Sequence, residues 1–151
     1  MRVPYLVEAM RRLLLIVAAL GLGGLAWAQS TSTNTAALTA RLSGASIVPP
    51  NASTASGNLQ ATLDKNTRVL NWTISLAGLS GPPTAANFHG PAMPGENANA
   101  ALPLPLGANN GTVTLSSAQM DDLLAGKWYV SVLTAANPNG EIRGQLMIGP
   151  Q

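Results

Sequence analysis

The chain contains no cysteine. A disulfide framework and thiolate metal sites are therefore excluded, and so is lipid attachment through a cysteine at a processed N-terminus. Histidine occurs once, as His89. Zinc and copper centres draw three or four ligands from His, Cys and carboxylates, so one histidine falls short of a complete set. Aromatic residues make up 4% of the chain, too few for an exposed stacking platform of the kind that holds carbohydrate. Charge is sparse as well. The formal net charge of +2 comes from Arg2, Arg11, Arg12 and Glu8, all within the first 28 residues. Beyond them Arg41, Lys65, Arg68, Lys127 and Arg143 are balanced by Asp64, Glu96, Asp121, Asp122 and Glu141. Nucleic-acid binding needs a basic patch to neutralise phosphates, and that class is set aside. Neither a G-x-S-x-G elbow nor a spaced pair of carboxylates stands out, so no enzyme and no cofactor are expected.

What is present starts with a leader. Arg11 and Arg12 precede the 16-residue apolar run Leu13 to Ala28, which ends in Ala26-Trp27-Ala28. A basic n-region, an apolar h-region and a small-x-small site make a secretory signal peptide. The run is shorter than the roughly 20 residues that span a bilayer. The expectation is cleavage after Ala28 and a secreted or periplasmic protein with no membrane attachment. Met10 opens a more compact signal than Met1 does. Residues 29–36 (QSTSTNTA) read as a flexible leader, and the domain is expected over 37–149.

Within that span the patterns are those of strands. Leu38, Ala40 and Leu42 alternate with polar neighbours, as do Leu59, Ala61 and Leu63. Asp64 to Thr67 reads as a hairpin turn, because Asp and Asn side chains satisfy local backbone groups. The returning strand, 69–76, puts Leu70, Trp72, Ile74 and Leu76 on one face. Residues 85–89 and 112–115 read as short strands. Ser116 opens a short helix, about 116–125, with Gln119 at capping-box spacing, Met120, Leu123 and Leu124 as its apolar stripe, and Gly126 after its last turn. Asp121 and Asp122 are placed in its favourable early part. In the strand 127–134, Trp128, Val130 and Val132 face one way, and Tyr129, Ser131 and Leu133 the other. Asn137 to Gly140 turns the chain into a last strand, 141–148. Short strands with one helix predict an all-β fold, an antiparallel sandwich or barrel. The stretch from Gly90 to Leu106 holds four prolines. It reads as a long surface excursion, since proline does not suit a central strand.

Four motifs carry a resemblance. They are L-S-G-x-x-x-V-P-P (Leu42 to Pro50), L-D-x-x-T-x-x-L-x-W (Leu63 to Trp72), F-H-G-P-A (Phe88 to Ala92) and T-A-A-N-P-N-G-E-I-R-G-Q (Thr134 to Gln145). Together they resemble the CHRD (chordin-type) domain, over about Ala37 to Ile148. The resemblance implies an all-β extracellular module. Such domains are named for chordin, an extracellular antagonist of bone morphogenetic proteins, and occur also in exported bacterial proteins. Many members carry histidines where this chain has Asn87 and Leu133.

The functional expectation is an exported, non-enzymatic binding or structural module. Its partner would be an extracellular or envelope protein or a matrix component, met by the 90–106 loop through Met93, Glu96, Asn97 and Asn99. Binding loops on a rigid β scaffold are a common arrangement. The alternative is an envelope copper or zinc protein using His89, with Glu96 or a second copy's His89 as the further ligand. His89 has a plainer role open to it, a hydrogen bond to a loop carbonyl. Glu141 and Arg143 lie two apart on a strand and so share a face. Either they form an ion pair that pins the last strand, or they make a polar floor beneath the His89 loop.

Overall fold

The computed structural model describes residues 34–149. The expected signal, 1–28, and most of the leader lie outside the described residues. Nine strands and one helix follow in order: β1 (Thr35–Ser43), β2 (Ser56–Asp64), β3 (Val69–Ala77), β4 (Pro83–His89), β5 (Ala100–Pro103), β6 (Asn110–Thr114), α1 (Ser117–Leu124), β7 (Tyr129–Thr134), β8 (Ile142–Gln145) and β9 (Met147–Ile148). The strands form one curled antiparallel sheet in the order β5-β4-β7-β8-β1-β2-β3-β6, with β9 paired to β1. Among the described residues it is a half-barrel, all-β with one short helix as expected.

The β2–β3 hairpin forms where the alternation and turn residues put it, with Leu59 opposite Ile74 and Leu63 opposite Leu70. The Asp64 carboxylate accepts from the Asn66 and Thr67 amides at 2.8 and 3.1 Å, and these bonds hold its pKa below the ordinary value. Helix α1 has the expected capping box: Ser116 Oγ accepts from Gln119 N, and Gln119 Oε1 accepts from Ser116 N. Asp121 and Asp122 fall beyond its first turn, so they do not serve the helix start as expected.

The alternating apolar residues meet inside the curl. Leu38, Leu42, Leu59, Leu63 and Leu70 arrive from β1 to β3, and Phe88, Val130, Val132 and Ile142 from β4, β7 and β8. Each such side chain contributes about 1.5–3 kcal/mol when fully buried. Trp72 packs edge-on to Phe88 at 6.3 Å, and Phe88 lies 5.9 Å from Trp128. Both tryptophans are core, as their strand faces predicted.

Three elements differ from the sequence reading. β1 begins at Thr35, ahead of the expected domain start. The proline-rich excursion contains β5, which pairs with β4 at the sheet edge, where proline's missing N–H is tolerated. The last strand is split. Leu146 turns into the core between β8 and β9, and its amide bonds the Trp128 carbonyl at 2.9 Å.

β8 joins the two halves of the sheet, with Arg143 opposite both Ser43 and Ser131. A Cβ on Gly144 would fall on the Arg41 carbonyl, so only glycine permits this approach. Gly144→Ala is expected to lower stability by about 1–3 kcal/mol, measured by urea unfolding. An unchanged midpoint would contradict this packing of β8 on β1.

Candidate functional site

Side chains two apart on a strand share a face, and on β7 both faces are buried. Val130 and Val132 enter the core. Tyr129 and Ser131 face the other way, with His89 and Asn87 beside them on β4 and Gln145 and Arg143 on β8. On β1 to β3 the outward residues, such as Thr39, Gln60 and Thr73, are exposed. On β4, β7 and β8 the outward face has a second layer over it: the 90–99 loop and the 47–53 segment.

Tyr129 is the hub of that layer. The His89 ring stacks on it at 4.7 Å, with the planes within 3° of parallel. The Arg143 guanidinium carbon lies 3.5 Å from its ring centroid. The same three residues hold the loop. Tyr129 Oη accepts from Ala98 N at 3.0 Å and donates to Ala98 O at 3.1 Å. His89 Nδ1 lies 3.0 Å from that carbonyl. Arg143 donates to the Glu96 carbonyl at 2.7 Å and to Asn97 Oδ1 at 3.1 Å. Gln145 Nε2 fixes the loop's start, donating to the Ala92 carbonyl at 3.0 Å and to the Gly126 carbonyl at 2.8 Å. Asn97 Nδ2 reaches the Val48 carbonyl at 3.0 Å, tying the two covering segments together.

Between these segments and the sheet lies a cleft of about 400 Å³, lined by Asn87, His89, Ser131, Leu133, Asn139 and Arg143 among others. The carbonyl facing Nδ1 can only accept, so Nδ1 carries the proton and Nε2 is the bare acceptor. Nε2 is buried and has no hydrogen-bond partner. Burial pushes the His89 pKa down from 6.5, and the Arg143 charge lowers it further, against the Ala98 bond. Burial and the neighbouring charge thus favour the neutral ring.

A second polar centre adjoins the first. Glu141 is 1% exposed. Its Oε1 accepts from Ser53 Oγ and Ser80 N, both at 2.9 Å, and its Oε2 from Ser80 Oγ at 2.7 Å and Thr134 Oγ1 at 2.6 Å. Burial alone would raise the pKa of this carboxyl. The bonds from Thr134, Ser80 and Ser53 outweigh it and hold the value at about 2. Asn51 completes the join, its Nδ2 donating to the Gly140 and Glu141 carbonyls at 3.0 Å each.

The sequence-derived candidates separate on this geometry. Among the described residues no group of three or more His, Cys, Asp or Glu side chains could hold a metal ion. His89 bonds a loop carbonyl, the plainer of its two roles. The Glu96 carboxylate bonds Met93 N at 3.1 Å. Met93, Glu96 and Asn99 are exposed, and Asn97, though exposed, is bonded to both Val48 and Arg143. Asn87 and Leu133 line the same cleft as His89. Glu141 and Arg143 make no ion pair. Arg143 alone is the floor beneath the loop, while Glu141 precedes β8 and turns to hydroxyls. Sequence reasoning missed Ser53, Ser80, Thr134 and Gln145, and placed Tyr129 on the outward face without a role.

Glu141 also sets an acid limit. Its folded pKa of about 2 is below the ordinary 4.5, so its stabilisation is complete above the ordinary value and is lost as pH falls through about 2. Glu141→Gln is expected to cost about 2–3 kcal/mol at neutral pH and to flatten the loss of stability between those two values. Urea unfolding across that range checks both. An unaltered pH profile would contradict the charged state assigned to this carboxyl.

The comparison with curated proteins and that with solved structures give no match. The family model described as CHRD domain matches residues 38–146, from β1 to the core leucine after β8. All four sequence motifs lie within it, and three of them meet at the Tyr129 and Glu141 centres. The chain belongs to the CHRD domain family.

Proposed function

We propose that the protein is an exported, non-enzymatic binding or structural module that meets its partner through the loop between Gly90 and Asn99. One observation carries this reading: the loop is exposed outward yet fastened from beneath. Met93 is 49% exposed and stands on a segment held by Arg143, Tyr129, His89 and Gln145. A loop ordered before binding loses less conformational entropy on association, and an exposed thioether adapts to varied apolar surfaces. The groups with chemical capacity, Glu141 and Arg143, are committed to the scaffold.

The copper or zinc reading finds less support. His89 Nε2 is sealed from solvent and close enough to Arg143 to feel its charge, which opposes a cation. Glu96 is bonded within its own loop.

A photo-crosslinking residue at position 93 tests the reading in the cells that make the protein. A discrete adduct with an extracytoplasmic partner is expected from position 93 and not from Thr62 on the bare outer face of β2. No adduct from positions 93, 96 or 99, or the same adduct from position 62, would contradict it.

A further inference from the structure

We infer that His89 is an acid-sensitive latch: the 90–99 loop is closed on the sheet while the imidazole is neutral and released when Nε2 takes a proton. This concerns regulation of the partner-binding loop proposed above and rests on that reading for its biological consequence.

The geometry supplies each part of the device. Nδ1–H is spent on the Ala98 carbonyl, so a second proton can only go to Nε2. Nε2 is buried and meets no acceptor, so an N–H there would be left unpaired, and charged, in a place water does not reach. The proton would also create a second cation on the Tyr129 ring, which already carries Arg143 with its guanidinium carbon 3.5 Å from the centroid.

No anion stands ready to compensate. Of the residues that share the cleft with His89, the titratable or charged ones are Tyr129 from β7 and Arg143 from β8; the loop contributes Asn97 and Ala98, and the covering segment Val48 and Pro49. None is a carboxylate. Glu96 spends its carboxylate on Met93 N, and that of Glu141 lies among Ser53, Ser80 and Thr134.

The titrating group and the loop's anchors are one unit. His89 and Tyr129 grip the same carbonyl, that of Ala98, and Arg143 holds the two residues before it. An imidazolium can reach water only by leaving the stack, and leaving breaks the bond to Ala98. The sign follows. The closed loop binds fewer protons at His89 than the open one, because closure lowers a pKa that is 6.5 when free. Acid therefore favours opening. The start of the loop stays tied, since Ala92 is held by Gln145 and by the Lys127 carbonyl, neither of which titrates.

The test is amide hydrogen exchange read by NMR on the mature protein, from about pH 8 to about pH 4.5, beside the titration of the His89 ring. The Ala98 amide, bonded to Tyr129 Oη, is the reporter, and the Val132 amide in β7 is the control. Ala98 protection is expected to fall about tenfold or more as His89 protonates, with the two midpoints coinciding below 6.5, while Val132 is unchanged. His89→Phe keeps a ring against Tyr129 and cannot titrate, so its loop should lose this pH dependence. Protection of Ala98 that persists through the His89 titration overturns the latch. So does the same pH-dependent loss in His89→Phe. If the variant leaves the loop open at every pH, coincidence of the wild-type midpoints decides. No partner enters this measurement, so a failed latch and a failed crosslink are separate results.

Discussion

Glu141 places a negative charge in the interior with no cation beside it. Ser53 comes from the β1–β2 connection, Ser80 from the β3–β4 connection, Thr134 from the end of β7 and Glu141 from the approach to β8. Four chain segments meet at one carboxylate. An ionised group buried without partners is very costly, so the carboxylate is stable only when these hydroxyls and the Ser80 amide are all in place. That requirement fixes the 47–53 segment and the 78–82 loop relative to the closing strands. The segment then forms one wall of the cleft, and through Asn51 it is tied to the turn at Gly140.

Arg143 is the positive counterpart, 3% exposed and likewise satisfied by neutral oxygens: the Glu96 carbonyl, the Asn97 amide and, at 3.5 Å, Gln145 Oε1. The two charges sit two residues apart and each fastens a different covering segment. A direct ion pair would have satisfied both and held neither loop. The division of labour makes the outward face of β4, β7 and β8 a second packed layer, while β1 to β3 keep an ordinary polar exterior. It also explains why the loop with Met93 can be exposed and ordered at once, and why one neutral imidazole beneath it matters.

The fold was largely legible because its strands alternate cleanly. Leu59, Ala61 and Leu63 against Leu70, Trp72 and Ile74 can make one hairpin and one buried face, and Asp64 marks the turn. The helix announced itself through Ser116 and Gln119. The split of the last strand at Leu146 was not legible, since 142, 144 and 146 share the inward face of an unbroken strand as well, and nothing in the pattern marks where the pairing moves from β8 to β9. The site was half visible. His89, Glu141 and Arg143 were singled out by type and by the family motifs, while Tyr129 was placed on the outward face of its strand and given no role. Their partners were not singled out, because Ser53 and Ser80 are distant in sequence, and Thr134, though it opens the last family motif, resembles any surface hydroxyl. Nothing local distinguishes a serine that caps a buried carboxylate from one that faces water.

The join of the four segments depends on Glu141 being ionised and held by neutral donors. The direct measurement is its side-chain carboxyl pKa, from the ¹³C chemical shift of Cδ followed through an acid titration of the folded protein. A midpoint at about 2 is expected. A midpoint at or above the ordinary value of 4.5 would contradict it, since the carboxyl would then be either protonated in its pocket or open to water, and the join between the four segments would need another cause.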